Sequence, residues 1–204
     1  MELYYHPSSR AGTAVLMLEA VHQPYTLKLL DLQAGEQKQD SVVARNRMGK
    51  IPLLVDGDAV VSEVAAIGMY LADRYAPGTL APALDDPRRG TYFRWCVYPS
   101  AVLEMSCYAE TAGWKFSESS AGFGNHQAML QTVEDAVTGT DWLLGDQFTM
   151  ADIIFGATLR FMLIFKMIEE RDAFKSYVAR FGEHPAITSG DAVNNEWRGK
   201  LSEK

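Results

Sequence analysis

Apolar residues recur along this chain in two rhythms, and the change between them falls near residue 77. Before it, short β-prone runs alternate with stretches of helical spacing. Leu3-Tyr4-Tyr5 reads as a strand, Pro7-Ser8-Ser9 as a turn, and Ala11 to His22 as a helix in which Leu18 follows Ala14 and Val15. Tyr25 to Leu30 reads as a second strand and Glu36 to Arg47 as a short polar helix. Ile51 to Val55 is a third strand, joined through Asp56-Gly57-Asp58 to Ala59-Val60-Val61; the aspartate-glycine turn marks a hairpin. Ser62 is expected to cap the next helix, whose Val64, Ile67 and Leu71 share one face. The order is βαβαββα.

Between residues 75 and 87 no hydrophobic period survives the punctuation of Pro77, Gly78, Pro82 and Pro87, which predicts a linker at 77–86. An α/β domain over 1–76 would precede it and an all-helical domain over 87–204 would follow. Helical spacing covers Pro87 to Gly113, Phe123 to Val137, Thr149 to Ile168, Ala173 to Phe181 and Pro185 to Trp197. Pro99 should kink the first of these, and the serine- and glycine-rich stretch from Ser117 to Gly124 should be a mobile loop. The most apolar run, Ile153 to Phe165, is interrupted by Thr158 and Arg160 and falls short of the roughly 20 residues of a spanning helix. It is expected to be a core helix.

Composition narrows the class. The chain has 204 residues, 48% of them hydrophobic and 22% charged, enough for one or two domains with real cores. Its 19 Lys and Arg stand against 26 Asp and Glu, a net charge of −7 without a dense basic tract, so nucleic acid is a poor partner. Cys96 and Cys107 lack the close spacing of a zinc or redox pair, no metal site is indicated, and a reducing, cytoplasmic setting fits best. After Met1-Glu2-Leu3 no basic segment leads into an apolar one, so no signal peptide is expected. No membrane association is expected.

Three places carry candidate chemistry. Pro52 lies inside a run that otherwise reads as a strand, where it removes a ladder donor. Either the strand begins at Pro52, or the Ile51-Pro52 bond is cis and turns the backbone of Ile51 toward a peptide-like ligand. Ser62-Glu63-Val64-Ala65 opens a helix whose first amides can hold a carboxylate; taken alone the signal is weak, and a plain N-cap is the favoured reading. Ser8 and Ser9 stand after the first strand at another helix start, where a hydroxyl caps the helix or donates to a thiolate.

Taken together, Tyr4-Tyr5-His6-Pro7-Ser8-Ser9-Arg10, Gly49-Lys50-Ile51-Pro52 and Ser62 to Leu71, in this order and spacing, resemble the amino-terminal, thioredoxin-like domain of cytosolic glutathione S-transferases. Leu143 to Asp152 resembles that family's folding motif, with Thr149 as N-cap, Asp152 reaching back to it and Phe148 packing near Ile153. The resemblance spans essentially the whole chain. It implies that Ile51, before a cis Pro52, pairs its backbone with the cysteinyl part of glutathione, and that Glu63 and Val64 meet the γ-glutamyl end. The family commonly has Ser where this chain has Val64, so one hydroxyl is missing there. Lys50 would reach the glycyl carboxylate, or stand solvated.

The resemblance further implies a serine-type, bacterial-type member in which Ser9 activates the thiol, with Ser8 the runner-up and Arg10 an accessory charge. Tyr4 and Tyr5 are expected to be packed strand residues, and the absence of a cysteine at this position argues against members that form mixed disulfides. A second, electrophilic substrate is expected between the halves, with Tyr98, Tyr108 and Trp114 as candidates for its wall. Cys96 and Cys107 are expected to be buried small hydrophobes. The implied activity is conjugation of glutathione, a co-substrate, to a mostly apolar small molecule in detoxification. Isomerisation, peroxide reduction, dehalogenation or a non-catalytic binding role are the alternatives, and a symmetric homodimer is the implied assembly.

Overall fold

The computed structural model describes residues 1–202. They form two compact units, one of residues 1–76 with 184–202 and the other of residues 77–183. In the first unit, β1 (Glu2–Tyr5), α1 (Ala11–Val21), β2 (Thr26–Leu29), α2 (Asp40–Val43), β3 (Leu53–Asp56), β4 (Ala59–Ser62) and α3 (Val64–Tyr75) follow the expected order, with a single 3-10 turn at Glu36–Lys38 ahead of α2. The polar stretch 36–47 is thus two short turns of helix, because Gly35 and Gly49, at φ of 75° and 54°, bracket it closely.

The sheet order is β2-β1-β3-β4. β1 runs parallel to β2 and antiparallel to β3, and β3 pairs antiparallel with β4. Alternation along β1 sends Leu3 and Tyr5 into the core, both fully buried, while α1 buries nearly every side chain from Ala11 to Leu18. A helix covered on all sides must have neighbours on all sides. α1 packs against α3 and against the terminal helix α9 (Pro185–Ser202).

That packing moves the C-terminal segment away from the domain in which it was expected. Residues 184–202 belong with 1–76, and the helical unit ends at 183. The reason lies in small residues. A Cβ on Gly190 would stand 2.9 Å from Leu16 Cα, so only glycine lets α9 come this close to α1. The Pro-rich stretch after 76 also joins the helical unit, held by the Leu80 carbonyl accepting from Met150 N at 2.8 Å and the Thr79 carbonyl accepting from Gln147 at 2.8 Å.

The second unit contains α4 (Arg89–Tyr98), α5 (Glu104–Thr111), α6 (His126–Val137), α7 (Met150–Ile164) and α8 (Asp172–Glu183). Pro99 does interrupt the first long helical run: it opens a π-helical stretch, Pro99–Leu103, that separates α4 from α5. α7 is the core helix, buried almost continuously from Met150 to Leu159. Its last residues emerge, with Ile164 and Phe165 both exposed. Cys96 and Cys107 are buried and not joined in a disulfide. Among the described residues no helix is long and apolar enough to cross a membrane.

The start of α7 organises this unit. Thr149 and Asp152 form the reciprocal capping box. Asp152 Oδ2 accepts from the Thr149 amide at 2.8 Å and its hydroxyl at 3.0 Å, while Oδ1 accepts from the Leu143 amide at 2.8 Å and the Tyr177 hydroxyl at 2.9 Å. Phe148 places its ring against Trp142, with centroids 4.8 Å apart. Burial pushes the Asp152 carboxyl up, and the four donors oppose that shift. Asp152→Ala would strand buried donors from three separate segments. The expected loss is about 3 kcal/mol or more of unfolding free energy, read as a lower urea midpoint.

Candidate functional site

The sheet register decides which loops meet. Tyr4 of β1 and Ser62 of β4 both stand opposite Leu53, the first residue of β3. Because β3 is antiparallel to both neighbours, its amino end lies beside their carboxyl ends. The turn that follows β1, the Ile51-Pro52 bond that precedes β3, and the Glu63-Val64 step that follows β4 therefore emerge at one end of the sheet. Ser9, Ile51, Pro52, Glu63 and Val64 are brought together in this way.

Ser9 sits at the entry to α1 and is half-buried. Its amide and its hydroxyl both donate to the His6 carbonyl, at 3.1 and 2.8 Å, and its Oγ accepts from the Ala11 amide at 3.1 Å. A hydroxyl that accepts from an amide at the positive end of a helix becomes a stronger donor. Ser8, in contrast, is exposed, and its amide donates to His6 Nδ1 at 3.1 Å. Tyr4 and Tyr5 are strand residues, as expected. The Arg45 guanidinium lies over the Tyr4 ring at 6.0 Å, and Tyr5 is fully buried with its hydroxyl donating to Asn194 Oδ1 at 2.7 Å. Burial pushes the Tyr5 phenol up to about 12, so it remains a neutral donor.

The Ile51-Pro52 bond is cis. Pro52 is buried and Ile51 half-buried, at the mouth of a turn built by Asn46. This asparagine was not singled out from the sequence. Its Nδ2 donates to the Lys50 carbonyl at 2.9 Å, its Oδ1 accepts from the Met48 amide at 3.2 Å, and its carbonyl accepts from the Gly49 amide at 2.8 Å. Lys38 adds a bond from Nζ to the Met48 carbonyl at 2.8 Å. The readable signal was Asn three residues before a glycine that must take positive φ, the local pattern of an asparagine-closed turn. Lys50 itself is exposed.

At the third loop the expected cap is different. Ser62 is the last residue of β4, paired with Leu53, and Glu63 takes the N-cap position with no side-chain bond to the helix. The ladder claims Ser62, so the chain must turn into α3 within one residue. Glu63 does so at φ 70° and ψ 127°, a conformation costly for a residue with a Cβ. Ile67 makes the first helical bond, its amide donating to the Glu63 carbonyl at 2.9 Å. The first-turn amides of α3, beginning at the half-buried Val64, are thereby turned outward at the positive end of the helix dipole.

In the helical unit, Tyr98 is half-buried against Trp95, with ring centroids 4.9 Å apart and Arg94 5.5 Å from its own ring; burial pushes its phenol up. Tyr108 and Trp114 are 44% and 53% exposed. The three side chains thus differ: one is a packed ring and two present aromatic surface to solvent.

The glutathione S-transferase N-terminal domain model matches residues 1–73, and the glutathione S-transferase C-terminal domain model matches residues 104–185. This chain belongs to the glutathione S-transferase family. A glutathione S-transferase of Anopheles gambiae is 42% identical over 76 residues, a match covering 37% of this chain and 36% of that relative. The transferase GstA of Escherichia coli O157:H7 is 24% identical over 202 residues, covering 96% and 98% of the two chains. In three dimensions the transferase superposes on a Phanerochaete chrysosporium glutathione transferase, solved with oxidized glutathione, with a TM-score of 0.78 at 21% identity over 96% of each chain. The α/β and helical halves of the fold are those of the family.

The turn leading to Pro52 gives a prediction independent of ligand. Asn46→Ala removes the partners of the Lys50 carbonyl and the Met48 amide from a buried position, and is expected to lower unfolding stability by about 1–3 kcal/mol in denaturant titration.

Proposed function

We propose that this glutathione transferase activates the glutathione thiol with Ser9 and joins it to the electrophilic carbon of a mostly apolar small molecule. The observation that carries the reading is the convergence, at one end of the sheet, of a polarised hydroxyl, an Ile51 backbone before a proline, and the outward amides of α3. Glutathione offers a matching series of groups: a thiol, a peptide backbone and a γ-glutamyl carboxylate. A relative solved with oxidized glutathione supports a glutathione ligand here. In this reading Ile51 pairs its backbone with the cysteinyl unit, Glu63 and Val64 meet the γ-glutamyl end, and Lys50 reaches the glycyl carboxylate. Val64 contributes its amide alone.

The chemistry asked of Ser9 is modest. A thiol of ordinary pKa near 8.5 is only a few per cent ionised at neutral pH, and lowering that value by two units needs about 2.7 kcal/mol of preferential thiolate stabilisation. The hydroxyl now bonded to the His6 carbonyl turns to the sulfur while still accepting from Ala11. It exchanges a neutral hydrogen bond for a charge-assisted one, a gain supplemented by the dipole of α1. The thiol proton passes to solvent, and the thiolate attacks the electrophilic carbon. The carbon–sulfur bond forms as the bond to a leaving anion such as halide breaks or, at an activated double bond, as the π pair moves to the electron-withdrawing group and is protonated by water. On the helical unit, Tyr98, Tyr108 and Trp114 are proposed to contact the electrophile, and the proposed working form is a symmetric homodimer in the cytoplasm.

Retention on immobilised glutathione, followed by a thiol-consumption assay over a panel of alkyl and aryl electrophiles, tests the activity. Ser9→Ala is expected to leave retention intact and to raise the pKa of the bound thiol, lowering the rate at neutral pH by roughly tenfold or more. Ser8→Ala should change little; the opposite pattern would transfer the role to Ser8. Light scattering at about micromolar concentration should give twice the chain mass, and an active monomer would remove the dimer from the proposal.

A further inference from the structure

The loop that carries Ser9 is not held by its neighbours in sequence alone. Tyr5, Pro7 and Gly12 flank it on both sides, and all three are tied to the terminal helix α9. Tyr5 donates its hydroxyl to Asn194 Oδ1 at 2.7 Å, Asn194 Nδ2 donates to the Gly12 carbonyl at 3.1 Å, and Arg198 Nη2 donates to the Pro7 carbonyl at 3.0 Å. Gly190, Asn194 and Arg198 follow one another at four-residue steps, so they form a single row along α9. The row is pressed close to α1 at Gly190. Asn194 is 3% exposed, and its amide is satisfied from both sides of the loop.

The bond from Arg198 is placed to control orientation. It fixes the carbonyl of the Pro7-Ser8 peptide, while the amide of that same peptide donates to His6 Nδ1 at 3.1 Å. A peptide plane held at both ends cannot rotate, and Ser9 is the next residue. The guanidinium is steadied in turn by a second bond, from Nη1 to Asn195 Oδ1 at 2.8 Å. Both family-model matches end before this row, at residues 73 and 185.

We propose that Asn194 and Arg198 are positioning residues for the thiol-activating hydroxyl, which makes the last helix of the chain a working part of the glutathione site. The proposal rests on the reading of Ser9 as the thiolate partner. Arg198 acts through the Pro7 carbonyl on the direction of the Ser9 O–H, not on the substrate.

Arg198 is an exposed residue, so its truncation is compatible with folding, and thermal unfolding of each variant serves as the control. The experiment measures the pKa of glutathione bound to the full chain by thiolate absorbance, together with kcat and KM, in Arg198→Ala, Arg198→Lys, Ser9→Ala and the Ser9→Ala/Arg198→Ala double variant. Arg198→Ala is expected to raise the bound-thiol pKa and lower kcat about tenfold with KM for glutathione little changed, as misorientation of a reacting group does. Arg198→Lys, which keeps a donor for the Pro7 carbonyl, should recover part of both. In the Ser9→Ala background the Arg198→Ala change should have no further effect on the thiol. An unchanged thiol pKa in Arg198→Ala, with Ser9→Ala shifted, overturns the positioning role alone. An equal shift in both backgrounds also overturns it, since Arg198 would then act by its own charge. No shift in Ser9→Ala removes the reading of Ser9 and this proposal with it.

Discussion

The arrangement of the candidate site depends on the antiparallel register of β3. Leu53 stands opposite Tyr4 on one side and Ser62 on the other, and from this pairing alone three loops distant in sequence open at one end of the sheet. A slip of one residue would exchange the faces of Leu53 and Leu54, both fully buried, and break the packing they make on the two sides of the sheet. The burial of β3 thus holds the register, and the register holds the loops. The positive φ of Glu63 follows from the same constraint, because pairing through Ser62 leaves one residue in which to change from strand to helix.

Two buried polar groups then do for loops what the register does for strands. Asn46 closes the turn before Pro52, and Asn194 joins Tyr5 to Gly12 from a helix nearly two hundred residues away in sequence. Each is an amide with donors and an acceptor used in opposite directions, which apolar packing cannot imitate. Asp152 has the corresponding place in the helical unit, where one carboxylate gathers donors from the 143 loop, the cap of α7 and Tyr177 of α8. Such groups are specific because leaving any partner unpaired in a dry interior is costly.

The chemistry assigned to the site makes small demands on the protein and large ones on its precision. A few kcal/mol of preferential thiolate stabilisation can come from one hydroxyl and a helix end, provided the hydroxyl points at the sulfur. The Ala11 amide holds Ser9 Oγ in place, while its hydrogen, bonded to the His6 carbonyl, is the part that must turn to the sulfur. Precision of this kind comes from rigid elements behind the loop, and α9 supplies one.

The sequence by itself determined the elements and most of their order. Hydrophobic period separated strands from helices, the Asp-Gly turn marked the β3–β4 hairpin, and the Thr149–Asp152 pair announced the start of α7, because these signals are local and act within a few residues. Motif resemblance brought Ser9, Ile51, Pro52, Glu63 and Val64 into view. Tertiary structure decided what local signals cannot carry: that Ser62 belongs to a strand and not a cap, that Asn46 builds the turn before Pro52, and that residues 184–202 pack with the first unit. The helical pattern of α9 specifies a helix but not its partner. That choice rests on the fit of Gly190 against Leu16 and of Asn194 between Tyr5 and Gly12, contacts whose two sides lie at opposite ends of the chain.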